Sequence, residues 1–251
     1  MLFDSIVYGP IHSRRLGISL GMEIMPLEHK LCTFNCVYCD CGWNTPVSHP
    51  KLPTREEVRT ALEARLKEGL LLDVITFSGN GEPTLHPDFL GIIEDTCALR
   101  DQYCPNAKVS VLSNSTQLGR PDVVKALRLC DDRILKLDAG TDTMMRRIDL
   151  PVNEQLTVKQ IIAWLQSFDG DFTLQTCFLR GAHKGEIIDN TTSEELEAWH
   201  RAVDSLHPKQ IMIYVIDRKT PEENLQKISR DEMESIAAPL REKGYDVIIS
   251  A

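Results

Sequence analysis

The stretch Cys32-Thr33-Phe34-Asn35-Cys36-Val37-Tyr38-Cys39 carries three thiols within eight residues, spaced Cys-x3-Cys-x2-Cys. Three soft ligands on one short loop can hold three irons of a cubane iron–sulfur cluster. The fourth iron then takes no ligand from the loop, and an open metal position separates a catalytic site from a closed structural one. Zinc is the competing occupant, with Cys41 or His29 as a fourth ligand. Structural zinc sites usually join two separated cysteine knuckles, and the sequence shows one. Disulfides fit less well: eight Cys in 251 residues is not the dense framework of a small secreted domain.

Outward from this loop, short apolar runs alternate with amphipathic segments. The runs are 16–23, 71–78, 108–112, 133–137, 172–179, 210–216 and 246–249. They are rich in Val, Ile, Leu and Thr, and near-continuous apolar runs suit strands covered on both faces of a parallel sheet. Between them, Thr54-x-x-Glu57, Thr157-x-x-Gln160, Thr192-x-x-Glu195 and Ser229-x-x-Glu232 match the capping box that opens a helix. Apolar stripes follow at helical spacing, such as Leu196, Trp199, Val203 and Leu206; Trp199 and Trp164 are expected in the core. Alternating strand and helix implies right-handed crossovers and one parallel sheet. Six such units and a last strand give a partial (β/α)6 barrel, since a full eight-unit barrel takes ~250 residues. The Cys loop follows the first strand, on the face where such folds place their sites.

The second strand runs into Ser78-Gly79-Asn80-Gly81-Glu82-Pro83, where two glycines allow close backbone approach and Glu82 offers a carboxylate. The third ends in Ser113-Asn114, groups equally able to cap a helix. On the fourth, Lys136 and Asp138 share one face and would be costly to bury unpaired. The fifth ends near Arg180, which could pair with an anion. The sixth ends at Val215-Ile216. The Cys loop, followed one strand–helix unit later by Gly79-Asn80-Gly81-Glu82, resembles the radical S-adenosylmethionine (radical SAM) superfamily, with Asn80 in place of the second Gly of that family's Gly-Gly-Glu motif. With the opening Tyr8–Gly17, the resemblance narrows to compact iron–sulfur oxidoreductases related to the wybutosine-synthesis enzymes.

The resemblance implies a 4Fe–4S cluster on Cys32, Cys36 and Cys39, with SAM on the open iron. It implies SAM contacts from Tyr38 beside the adenine, from Gly79, Asn80, Gly81 and Glu82 at the amine, from Ser113, Asn114, Lys136 and Asp138, and from Val215 and Ile216 as apolar walls. Reduced flavodoxin or ferredoxin would supply the electron. The resemblance also implies a single radical SAM core domain over 1–251, with 1–15 as an N-terminal extension. No second close-spaced Cys trio exists, so a second cluster is not expected; Cys97 and Cys130 read as buried small hydrophobes, while Cys41 and Cys177 stay open as site thiols.

Hydrophobic content of 42% and charged content of 26% are those of a globular protein. No apolar run approaches a membrane span, and Met1-Leu2-Phe3-Asp4-Ser5 lacks a signal-peptide pattern. A cytoplasmic location without a membrane partner is therefore expected. A net charge of −9 disfavours extended nucleic-acid contact. Arg14, Arg15, Arg146, Arg147, Arg180 and Lys184 could still gather at the mouth and favour an anionic substrate. The rival reading from another class is a non-catalytic zinc-binding or partner-docking module on the same barrel.

Overall fold

The computed structural model describes residues 2–13 and 15–250, so Arg14 lies outside the described residues. The chain divides into two compact units, Met1–Cys32 with Asn44–Ile134, and Thr33–Trp43 with Leu135–Ala251.

In the first unit, β1 (Val7–Ser13) pairs antiparallel with β2 (Gly17–Met22), which runs parallel to β3 (Val74–Phe77), itself parallel to β4 (Lys108–Ser113). β3 is buried along its whole length, as its unbroken apolar run requires. Helices α1 (Arg55–Leu66), α2 (Phe89–Tyr103) and α3 (Pro121–Leu129) follow β2, β3 and β4 in turn. Thr54 and Glu57 form the expected reciprocal cap at the start of α1: Thr54 Oγ1 accepts from Glu57 N at 3.2 Å, and Glu57 Oε2 from Thr54 N at 2.7 Å. α1 buries Val58, Leu62 and Leu66, and α2 buries Phe89, Ile92, Ile93 and Leu99.

β1 falls inside the stretch expected as an extension. A strand is hard to read there because Gly9-Pro10 interrupts it and its register shifts between Tyr8 and Ile11; an edge strand tolerates both features. Tyr8 fixes it, stacking on Phe3 with ring centroids 3.6 Å apart and hydrogen-bonding the Ser78 carbonyl at 3.2 Å.

In the second unit, β5 (Asp132–Lys136) neighbours β6 (Thr173–His183), which is parallel to β8 (Gln210–Val215), and β8 is parallel to β10 (Val247–Ser250). Two short strands, β7 (Glu186–Asp189) and β9 (Gln226–Lys227), pair antiparallel with the far end of β6. Helices α4 (Asp142–Ile148), α5 (Val158–Gln166), α6 (Ser193–Leu206) and α7 (Arg230–Glu242) complete it. Ser229 and Glu232 form the full capping box of α7. At α6 the box is half used. Thr192 caps Glu195 N at 3.4 Å, but the Glu195 carboxylate turns to Gly140 N at 2.9 Å and to the Thr141 hydroxyl. Trp199 is buried on this helix, its Nε1 donating to Thr176 Oγ1 at 3.0 Å; Trp164 on α5 is only half-buried. Among the described residues, β2, β3, β4, β5, β6 and β8 are the six expected strands and β10 the last. No helix among them is long and apolar enough to cross a membrane.

Candidate active site

In the first unit, the segment after β3 turns on Gly81. Its φ of +157° and its closeness to Leu31 leave no room for a side chain: a Cβ would lie 1.7 Å from the Leu31 carbonyl oxygen. Leu31 N donates to Asn80 O at 2.9 Å and Glu82 N to Leu31 O at 3.1 Å. The residue next to the first cysteine is thus bridged to the glycine loop. Gly79, at φ +146°, leaves space for the Glu23 carboxylate, which a Cβ would meet at 2.0 Å. Asn80 is fully buried. Its side chain pairs with Phe3 in both directions at 2.8 Å and donates to Pro26 O at 3.1 Å. A side chain is accommodated where the family motif has glycine because Asn80, unlike its neighbours, does not take a positive φ.

Glu82 is buried, which pushes its carboxyl pKa upward; hydrogen bonds to Thr84, Asn114 and Ser113 pull the other way. Oε1 accepts from Thr84 Oγ1 at 2.5 Å and Ser113 Oγ at 2.9 Å, and Oε2 from Asn114 N at 2.6 Å. Asn114 Nδ2 in turn donates to Cys32 Sγ at 3.4 Å. Glu82, Ser113, Asn114 and Cys32, all singled out in the sequence, therefore form one hydrogen-bonded chain.

In the second unit, the loop around Cys36 is clamped by the end of α4. Asn35 N donates to Asp149 O at 2.8 Å and Val37 N to Ile148 O at 2.9 Å. The Cys36 thiol donates to Asp149 Oδ1 at 3.4 Å and accepts from Lys136 Nζ at 3.0 Å. Lys136 Nζ also lies 3.0 Å from Asp138 Oδ2 and 2.7 Å from Asp149 Oδ1, and about 5 Å from the ring centroids of Phe34 and Tyr38. Burial works against this charge, but Asp138 and Asp149 outweigh it and hold the Lys136 pKa well above its ordinary value. Tyr38 donates its hydroxyl to Asp138 Oδ2 and accepts from Tyr214 at 3.3 Å. Asp138 Oδ1 accepts from Cys177 N at 2.9 Å. Val215 is buried and Ile216 half-buried at the end of β8.

Two buried acids in these clusters have no signal in the sequence. Glu23 follows the end of β2 and accepts from Met25 N at 2.7 Å and from Asn80 N; burial raises its pKa to about 7. Asp149 follows α4, 113 residues from its thiol, and burial lifts its pKa to about 6. Several expectations change. Cys177 is fully buried, and burial with Asp138 nearby pushes its thiol pKa up, which disfavours a thiolate there. Cys97 is half-buried, whereas Cys130 is buried as expected. Within the second unit, two of the basic residues are paired with acids: Arg147 lies 2.6 Å from Glu186, and Arg180 lies 2.6 Å from Glu232 and 3.2 Å from Asp189.

The donor set suits a cubane. Cys32 and Cys36 each accept a hydrogen bond from a side-chain N–H, as cluster thiolates do. The ligand atoms of Cys39, Asp40 and Cys41 lie within 4.8 Å of one another, a spacing for a single ion, whereas a cubane spreads its thiolates over separate irons.

The family model described as Radical SAM superfamily matches residues 29–189. A protein named GTPase Obg from Brachyspira hyodysenteriae is 30% identical over 91% of this chain and 32% of its own length. The chain has no Gly-x4-Gly-Lys phosphate loop, so the name is not carried across. The structure of Streptococcus suis SuiB bound to S-adenosylmethionine is similar with a TM-score of 0.65 at 13% identity, over 89% of this chain and 49% of that one. The structure of TYW1 with a lysine-pyruvate adduct bound matches with a TM-score of 0.64 at 18% identity, over 89% of this chain and 73% of that one. The chain therefore spans about a third of the first curated relative and about half of the SuiB structure. These likenesses show the fold: α/β, with parallel strands in a radical-SAM-type partial barrel.

Proposed function

We propose that this chain, which belongs to the radical SAM superfamily, is an enzyme holding a 4Fe–4S cluster on Cys32, Cys36 and Cys39 and binding SAM at the open iron. When bound, the cluster and SAM together supply reductive cleavage to methionine and a 5′-deoxyadenosyl radical, which abstracts hydrogen from a substrate. The protein's own residues bind and orient. Glu82 would meet the SAM amine, with Ser113 and Asn114 fixing its carboxylate. The backbone at Gly79, Asn80 and Gly81 would line the approach, Tyr38 would pack beside the adenine, held by Asp138 and Tyr214, and Val215 and Ile216 would wall it. The observation that carries this reading is the hydrogen-bonded chain from Glu82 through Asn114 to the Cys32 thiol: the residue for the amine and a residue for the metal share one support.

A one-electron donor such as flavodoxin or ferredoxin and a cytoplasmic location, where thiols stay reduced, complete the reading. A metabolite, a nucleoside in tRNA or a peptide side chain would each suit the chemistry. Arg147 and Arg180 are already paired with acids, which weakens the case for an anionic substrate.

Anaerobic reconstitution tests the proposal. A full 4Fe–4S complement should form, with a broad visible shoulder that bleaches on reduction, and SAM with dithionite should give 5′-deoxyadenosine. Cys32→Ala, Cys36→Ala and Cys39→Ala should each abolish both, whereas Cys41→Ala and Cys130→Ala should abolish neither. Tetrahedral zinc without iron uptake would establish the rival module instead.

A further inference from the structure

The ammonium of Lys136 has three N–H groups and meets three acceptors: Cys36 Sγ at 3.0 Å, Asp138 Oδ2 at 3.0 Å and Asp149 Oδ1 at 2.7 Å. The strand β5 delivers the lysine, and the end of α4 delivers both Asp149 and the backbone carbonyls that grip Asn35 and Val37. The side chain is buried, as are those of both aspartates. A cation in such surroundings acts at close range with little screening. Two carboxylates balance a charge that would otherwise be costly to bury. Lys136, which the sequence offers as a SAM contact, also reaches the Cys loop and the acids that hold it.

We propose that Lys136 is a positioning residue for the cluster: it donates a charge-assisted N–H···S hydrogen bond to Cys36 and so sets how readily the cluster accepts its electron. This rests on the reading of Cys32, Cys36 and Cys39 as cluster ligands. One-electron reduction adds one negative charge, shared between iron and thiolate sulfur. A cation bonded to that sulfur stabilises the reduced form, and a carboxylate beside it opposes reduction; hydrogen bonds to sulfur and local charge are among the factors that set such potentials. Lys136 and Asp149 therefore act on the couple in opposite directions.

The test is a redox titration of the reconstituted protein without SAM, followed by EPR of the reduced cluster, with iron content measured in parallel. Lys136→Met should make reduction at least tenfold less favourable, a shift of about 59 mV to lower potential for a one-electron couple. Asp149→Asn should move the potential upward. Lys136→Arg, which keeps the cation, should lie nearer the parent than Lys136→Met. Opposite shifts at full iron content support the proposal. Unchanged potentials at full iron content overturn it, as does a Lys136→Met variant that loses SAM affinity while keeping the parent potential. Should Lys136→Met fail to assemble a cluster, the parent protein decides: with 15N-labelled lysine, the reduced cluster should show a 15N coupling in pulsed EPR, and its absence overturns the proposal. A parent protein that takes up no iron defeats the cluster reading and this inference with it, whereas full iron with unmoved potentials defeats this inference alone.

Discussion

Glu82 and Glu23 are both buried carboxyls raised by desolvation, yet they invite different experiments. Around Glu82, the hydroxyls of Thr84 and Ser113 can reverse their roles and accept from an amide. Glu82→Gln should therefore fold and keep its cluster. It should lose SAM affinity by roughly 1.5–3 kcal/mol, the range of a hydrogen bond to a charged group, about one to two powers of ten. Isothermal titration with SAM checks this, and unchanged affinity would return Glu82 to a turn-forming role. Glu23 lies behind the glycine loop, with its pKa moved from 4.5 to about 7. The folded chain thus favours the protonated form more than the unfolded chain does. The resulting stabilisation is complete below about pH 4.5 and is lost as the pH rises through 7, a difference of roughly 3 kcal/mol at most. Glu23→Gln should remove this component and leave a pH-independent offset for the N–H that its amide faces. Urea unfolding of the cluster-free protein at several pH values measures it; parallel curves for parent and variant would refute it.

Among the elements, the Leu31–Gly81 bridge joins the cysteine loop to the turn after β3, and it depends on one missing Cβ. Gly81→Ala should break the two backbone hydrogen bonds there, because the new atom would overlap the Leu31 carbonyl. We expect a stability loss of roughly 1–3 kcal/mol, the cost of a strained backbone position, together with poor cluster retention. Gly69→Ala is the control. Gly69 also has a positive φ, +71°, but a Cβ there meets nothing within 4 Å, so it should lose stability alone and keep the cluster. Chemical denaturation and iron content separate the two variants, and equal iron retention would sink the bridge argument. The capping motifs show how far local reading extends. Thr54 and Ser229 complete their boxes, since nothing nearby competes for the acid. Glu195 does not, because Gly140 comes so close to the first turn of α6 that a Cβ would lie 2.7 Å from Glu195 O, and its own N–H claims the carboxylate. The sequence announces the helix start correctly in both cases; the destination of the acid depends on the loop between β5 and α4, 55 residues away.

For the whole molecule, a net charge of −9 and arginines already paired with acids set the expectation for nucleic acid. Phosphate contacts make binding fall steeply with salt. Transfer RNA should therefore bind this chain weakly at physiological salt, with little further loss as salt is added; tight binding with a steep slope in a filter-binding titration would move the substrate towards tRNA. The order of β2, β3, β4, β5, β6, β8 and β10, the capped starts of α1, α5, α6 and α7, and the Cys-x3-Cys-x2-Cys loop with its partner Gly79–Glu82 were determined by the sequence itself. Each is written in residues a few positions apart, where periodicity, hydroxyl caps and ligand spacing act without help from the rest of the chain. Only the tertiary structure decided that Asn80 grips Phe3 from 77 residues away, that Glu23 fills the space left by Gly79, and that Lys136 and Asp149 reach Cys36 from 100 and 113 residues away. A buried polar group must find a partner, but which partner it meets depends on where the chain returns, and no local pattern of residues encodes that meeting.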